Sequence, residues 1–205
     1  MPAALELSGQ IWPLHHKPLE DELLSSWLAR LARAYGVPPV RFWSQVWPSA
    51  IGIRWAFVDH APPAGLLRLL AEKTATPLDR VKEAALEPLR DVQFVPYASL
   101  ELFYCPACLA ADIQPYFRRR WQMSAFSFCE RHACWLTGRC AQCWHPLAPH
   151  LVSIETDSIA YCFDCGADLR STKIALDRDT SCERAWQTRL WSMVRITEIA
   201  RGARR

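Results

Sequence analysis

The sequence predicts an α+β protein: a helical N-terminal domain containing a helix-turn-helix-like pair, then tandem zinc-ribbon or zinc-finger modules, then a C-terminal helix. Three observations carry this. Apolar residues recur at helical spacing from residue 21 to 47 and again from 65 to 89. Between Cys105 and Cys165, eight thiol and imidazole side chains fall into four pairs, each with two residues between its members. Trp186, Leu190 and Val194 then stand four apart near the C-terminus. With 51% hydrophobic and 22% charged residues, the chain is globular in composition. The expected divisions are 1–95, 96–175 and 176–205.

Taken in order, residues 1–20 hold Pro2, Pro13 and Pro18 without a period and read as an irregular arm. From Asp21, Leu24, Leu28, Leu31 and Tyr35 mark a helix whose stripe is widened by Leu23, Trp27 and Ala34, and which Gly36 and Pro38-Pro39 stop. A second short helix runs from Pro39 to Trp47, with Val40, Trp43 and Trp47 on one face. Ile51–Val58 fits helix or strand equally. Leu66, Leu67, Leu69 and Leu70 then suit a third helix. Thr76 is placed to cap a fourth, with Pro77 at its first position and Leu78, Val81, Ala85 and Leu86 as its apolar face. Two short helices at this spacing resemble a helix-turn-helix. Arg80 and Lys82 are candidate nucleic-acid contacts, but Asp79, Glu83 and Glu87 outnumber them, which favours a plain helix pair or protein docking over base reading. Val92–Phe103 leans toward β structure and leads into the cysteine region, where Tyr116–Phe128 and Pro149–Tyr161 suit supporting hairpins. Ser181–Arg201 reads as the C-terminal helix, ended by Gly202.

The four pairs are Cys105/Cys108, Cys129/His132, Cys140/Cys143 and Cys162/Cys165. A two-residue gap lets a tight turn aim two soft donors at one tetrahedral ion, so eight donors fill two closed Zn²⁺ sites. Sequential pairing groups the first two pairs and the last two; cross-bracing uses the same residues. Cys134 is an alternative to His132, His145 and His150 are further donors near the second site, and Cys182 reads as a small hydrophobe. Full shells leave no place for a reacting water, so the ions are expected to be structural. There is no H-E-x-x-H, no zinc-deaminase signature and no phosphate loop. Without metal, residues 104–170 should not fold.

Seven ligand thiolates and two dications bring the formal +3 to zero, which weakens any argument from bulk basicity to nucleic acid. Residues 1–103 carry ten Lys/Arg against eleven Asp/Glu, whereas 177–205 carry seven Arg against four acids. Inside the metal region the dense basic patch is Arg118-Arg119-Arg120-Trp121, which suits a nucleic acid or a carboxylate-bearing partner. The same arginines could instead brace the zinc hairpins through Asp112 or Glu130. No segment approaches a membrane span and the N-terminus lacks a signal peptide, so a cytoplasmic protein without membrane contact is expected.

Several ordered stretches resemble one family. Pro18–Ala32 reads PLEDELLSSWLARLA, followed by Phe103-Tyr104-Cys105-Pro106-Ala107-Cys108-Leu109, Tyr116-Phe117-Arg118-Arg119-Arg120-Trp121 and Cys129-Glu130-Arg131-His132. With Cys140-Ala141-Gln142-Cys143 and Cys162-Phe163-Asp164-Cys165, this resembles TniQ, the transposition proteins of Tn-seven-like and related elements, over roughly residues 14–170. Glu130 stands where proline is common and Ala133 where glycine is common, neither of them a ligand. The resemblance implies a helix-turn-helix region, paired zinc modules and a role in choosing where a bacterial transposon inserts. It implies a non-catalytic adaptor between a target-recognition complex, such as a CRISPR effector or a DNA-binding selector, and an AAA+ ATPase regulator of TnsC type. Direct contact with DNA or RNA goes with that role. The alternative is a DNA-binding target-site selector of TnsD type; a metal-dependent hydrolase is the third class, disfavoured by the closed shells.

Overall fold

The computed structural model describes residues 11–48, 55, 58–63, 65–86, 101–123 and 126–173. Among these residues it is a mixed α+β structure: four α-helices in the first half, then one short α-helix and a two-stranded sheet.

Helix α1 (Leu24–Ala34) is the axis of the molecule, with every residue from Leu24 to Ala32 buried. Its large residues Leu24, Trp27, Leu28 and Leu31 enter a core with Trp12, Phe42, Val58, Leu66, Leu70 and Val81. Its small face, carrying Ser25, Ser26 and Ala29, lets the second half approach closely: Ala29 joins the other core, and Ser26 Oγ accepts a hydrogen bond from Phe117 N at 3.0 Å. The helix ends as predicted. Gly36 takes φ +66°, Gly36 N donates to Arg33 O and Val37 N to Ala32 O, the paired bonds of a Schellman motif that a Cβ-free residue allows. At the other end Leu23 has no side-chain cap; instead Asp59 Oδ1 accepts from Ser25 N at 2.7 Å.

Helix α2 (Pro39–Val46) starts on Pro39, whose missing N–H costs nothing there. It buries Phe42, Trp43 and Val46, and leaves Val40 48% exposed, a correction to the expected apolar face: rotating the helix to bring Phe42 against Trp12 turns Val40 outward. Helices α3 (Leu66–Thr74) and α4 (Leu78–Ala84) are joined through Ala75, which is left-handed at φ +48°. Pro77 rather than Thr76 holds the N-cap position of α4, and the Thr76 hydroxyl turns inward to meet Thr74 Oγ1 at 2.7 Å. The arm from residue 11 is irregular but anchored. Trp12 N donates to Lys73 O, Lys17 Nζ donates to Thr74 O and Ala75 O at the carbonyl end of α3, and Trp27 Nε1 donates to His16 O.

In the second half, α5 (Pro106–Ala111) precedes the antiparallel pair β1 (Phe128–Cys129) and β2 (Cys134–Trp135). The hairpins expected at 116–128 and 149–161 are replaced by 3₁₀ turns at Arg119–Gln122 and Pro149–Leu151. Cysteine knuckles, not strand ladders, take the place of a sheet there. The Pro149–Leu151 turn packs on α1 and α2, and His150 stacks on Trp55 at 5.0 Å between ring centres.

The two halves are sewn together. Leu23 N donates to Phe117 O and Arg119 N to Asp21 O, flanking a bridge between Glu22 and Arg118. Arg33 donates to Ser153 O and Thr156 O. The expected boundary near residue 95 and the C-terminal helix with Cys182 lie outside the described residues, as do most of Ile51–Val58 and Val92–Leu100. Among the described residues no helix is long and apolar enough to cross a membrane.

Candidate metal centres

Each sequence pair sits on a backbone device that aims two donors the same way. Cys105 is the N-cap of α5, so Cys108 follows one turn later, and Cys108 N donates to Cys105 Sγ. Cys129 ends β1, and His132 lies within the turn that β1 and β2 close. Cys140–Cys143 lies inside the bridge of Arg139 with Pro146, and Cys162–Cys165 inside that of Tyr161 with Asp168. The last two loops repeat one pattern: Cys140 N donates to His145 O and Trp144 N to Cys140 O, as Cys162 N does to Ala167 O and Gly166 N to Cys162 O. The residue after each pair is left-handed: Trp144 at φ +64° and Gly166 at +71°.

The fold brings the pairs together sequentially. Cys105, Cys108, Cys129 and His132 gather in one group, and Cys140, Cys143, Cys162 and Cys165 in another, each within 4.8 Å. In the first, His132 Nδ1 lies 3.5, 3.3 and 3.7 Å from the sulfurs of Cys105, Cys108 and Cys129, and Cys108 and Cys129 are 3.6 Å apart. In the second, Cys140 and Cys165 are 3.6 Å apart and Cys143 and Cys162 3.5 Å. A tetrahedron with Zn–S bonds of about 2.3 Å has edges of about 3.8 Å, close to these separations, so both groups fit a four-coordinate soft ion and could hold one. Hydrogen bonding from the Cys108 thiol holds Cys105 down to about 6, and thiol hydrogen bonds with Cys105 and Cys108 lower Cys129 as well. Hydrogen bonding and burial push the Cys108 thiol up in turn, so anionic sulfur is available at Cys105 and Cys129 while a dication entering the group displaces the Cys108 proton.

Cys134 is fully buried beside the first group, its Sγ 3.5 Å from Cys105 Sγ. His145 Nδ1 lies 3.1 Å from Asp164 Oδ2, and both are near Cys143. His150 joins neither group; burial lowers its pKa to about 4.

The arginine cluster lies mostly inside. Arg118, Arg119 and Trp121 are 8%, 3% and 3% exposed. Arg118 pairs with Asp112 at 2.7 Å and stacks on Tyr116 and Trp121, at 4.3 and 4.7 Å from the ring centres. Arg120 Nε lies 2.6 Å and Arg119 Nε 3.8 Å from the buried Asp21 carboxylate, whose pKa burial raises against the pull of these guanidinium groups. This geometry matches bracing, with Asp112 as expected and Asp21, not Glu130, as the further anchor. Arg120 keeps a partly exposed side chain. Arg80 and Lys82 do lie on the outer face of α4, paired with Glu83 at 2.6 Å and Asp79 at 3.4 Å.

Two features had no clear signal in the sequence. Glu22 accepts from Leu19 N at the edge and from Ser26 Oγ and two nitrogens of Arg30, which are buried under the seam. Their spacing of four and eight, from Glu22 just before α1 into the helix, was visible, but an acid and an arginine at helical spacing ordinarily mark a solvated face. Trp144, 72% exposed, stands at the tip of the third knuckle.

Comparison with curated proteins returned no match. A family model does match: that of TniQ, over residues 13–136, more than half of the chain and spanning α1, the seam and the first donor group. By that match, made on the residues that build the scaffold, the chain belongs to the TniQ family, and so to the proteins of transposition target selection.

Proposed function

We infer that this protein is a non-catalytic adaptor that links a target-recognition complex, RNA-guided in the leading case, to an AAA+ regulator of TnsC type. The observation that supports it best is the seam: Arg119 and Arg120 reach across to Asp21 of the helical half while Arg118 pairs with Asp112 beside them, which leaves a two-sided body rather than a basic groove. Two structural Zn²⁺ ions, held by Cys105, Cys108, Cys129 and His132 and by Cys140, Cys143, Cys162 and Cys165, would supply the folding energy of the second half. Helices α3 and α4 are read as the helix-turn-helix, used for docking, since the outer charges of α4 are already paired. The direct selector reading would require Arg80, Lys82 and Arg120 to carry DNA binding largely among themselves.

Reconstitution tests this reading. The zinc-loaded chain should bridge the neighbouring ATPase and target complex in a pull-down, and show no tight, sequence-selective DNA binding alone at physiological salt. Selective DNA binding by the isolated chain would replace the adaptor with the selector.

A further inference from the structure

Beside the four donors of the first group stands a fifth soft donor, Cys134, in contact with Cys105. His132 Nδ1 touches three sulfurs at 3.3 to 3.7 Å, which makes Cys105, Cys108, Cys129 and His132 the better closed set. Cys134 is not displaced to a separate environment. It is 0% exposed, pairs with Cys129 across the β1–β2 register, and brings its sulfur as close to Cys105 Sγ, 3.5 Å, as His132 brings its nitrogen. Its thiol hydrogen-bonds with both Cys105 and Cys129. His132 is the least buried of the four, at the rim of the turn, with Ala133 next to it strained at φ +51°. A rim imidazole on a strained turn is the donor that can swing away, and a sulfur waits behind it.

We propose that Cys134 is a reserve ligand of the first metal centre, taking the fourth place when the His132 imidazole leaves it. This rests on the reading of that group as a zinc site. The exchange balances as a proton transfer: Cys134 binds as thiolate, its proton passes to the departing imidazole, and no electrons move. The centre then changes from three thiolates and a neutral imidazole to four thiolates, one unit more negative. Arg118 is placed to accept that charge. Its guanidinium lies within electrostatic range of Cys108, and its Nη1 is buried without a hydrogen-bond partner. A Cys₃His site with a built-in fourth thiolate keeps the seam stapled through disturbances that would open an ordinary site.

The test is metal stoichiometry with a ligand-sensitive probe. The full chain as purified, and His132→Ala, Cys134→Ala and the double variant, are assayed for zinc and then loaded with cadmium for ¹¹³Cd NMR, where each added thiolate shifts the resonance downfield. The parent should hold two metals and show one mixed sulfur–nitrogen and one all-sulfur resonance. His132→Ala should keep two metals with both resonances all-sulfur, Cys134→Ala should match the parent, and the double variant should fall to one. A parent without metal would sink the zinc reading itself. If the parent holds two metals but His132→Ala and the shape-conserving His132→Gln both fall to one while Cys134→Ala holds two, the reserve role is overturned. Two all-sulfur resonances in the parent would overturn it too, with Cys134 then the ordinary ligand.

Discussion

The two halves of this molecule are packed by different means. The first core is built of Trp12, Trp27, Phe42 and a set of leucines, and contains no cysteine; in the second, six of fifteen buried residues are cysteines. The first half forms helices of seven to eleven residues, while strands in the second are two residues long. Apolar burial is non-directional and rewards any helix that turns a stripe inward. The described part of the second half has little regular structure, and its eight donors gather at two points instead.

Chelation is the largest lever on that contrast. Structural zinc contributes roughly 10–16 kcal/mol per site in zinc-finger peptides, comparable to the whole stability of a domain at about 5–15. A strong chelator should therefore abolish hydrogen-exchange protection across residues 101–173 and leave the helical signal of α1 to α4 largely in place. Protection that survived around Cys105–Cys165 would show the second core standing without metal.

The seam is the next test, because it couples the halves. Glu22→Ala strands the Arg30 guanidinium in the interior, and breaking a buried pair by one partner costs about 3–5 kcal/mol. Urea unfolding should show that loss, and Glu22→Leu with Arg30→Met should restore most of it. If the single change costs under about 1 kcal/mol, in the range of an exposed pair, the pair is not working as a buried support beneath the seam.

These tests bear on what could be read in the sequence and why. Helices α1 to α4 were legible from period and punctuation, since Gly36 and Pro39 act on their immediate neighbours. The eight donors were legible for the same reason: a two-residue gap is a local geometry. What escaped was long-range. Asp59 caps α1 from more than thirty residues away, Asp21 collects arginines from 119 and 120, and the strand character expected of 149–161 yielded to a 3₁₀ turn fitted against α1 and α2. The arginine run advertised a surface because charge in sequence carries no record of the carboxylate that folds over it.

A smaller effect separates the halves by pH. Asp59, fully buried in the helical half, is raised by desolvation to about 7, so the folded state holds its proton more tightly than the unfolded chain. Its contribution is complete below the ordinary carboxylate range near 4 and is lost as pH rises through about 7. His150, in the metal half, is lowered by burial to about 4, so its contribution is complete above about 6.5 and lost as pH falls through about 4. The two oppose each other in one window. Relative to the parent, Asp59→Asn should make stability rise more steeply with pH between 4 and 7, and His150→Phe should make it fall. Slopes of the same sign in both variants would break the assignment.

The smallest effect falls on α4, and it decides most about function. Arg80 and Lys82 sit in exposed pairs three residues apart from their partners, and such pairs contribute about 0–1 kcal/mol. Arg80→Ala with Lys82→Ala should leave the urea midpoint within error, so any functional change reads contact and not folding. On a selector that uses α4 as a reading helix, losing two phosphate contacts would lower the salt slope of DNA binding by about 1.8 and weaken binding uniformly across sequences. On an adaptor, weak DNA binding and its salt slope should stay as they were, and what changes, if α4 docks the ATPase or the target complex, is the pull-down. One double variant thus separates the two readings without disturbing either core.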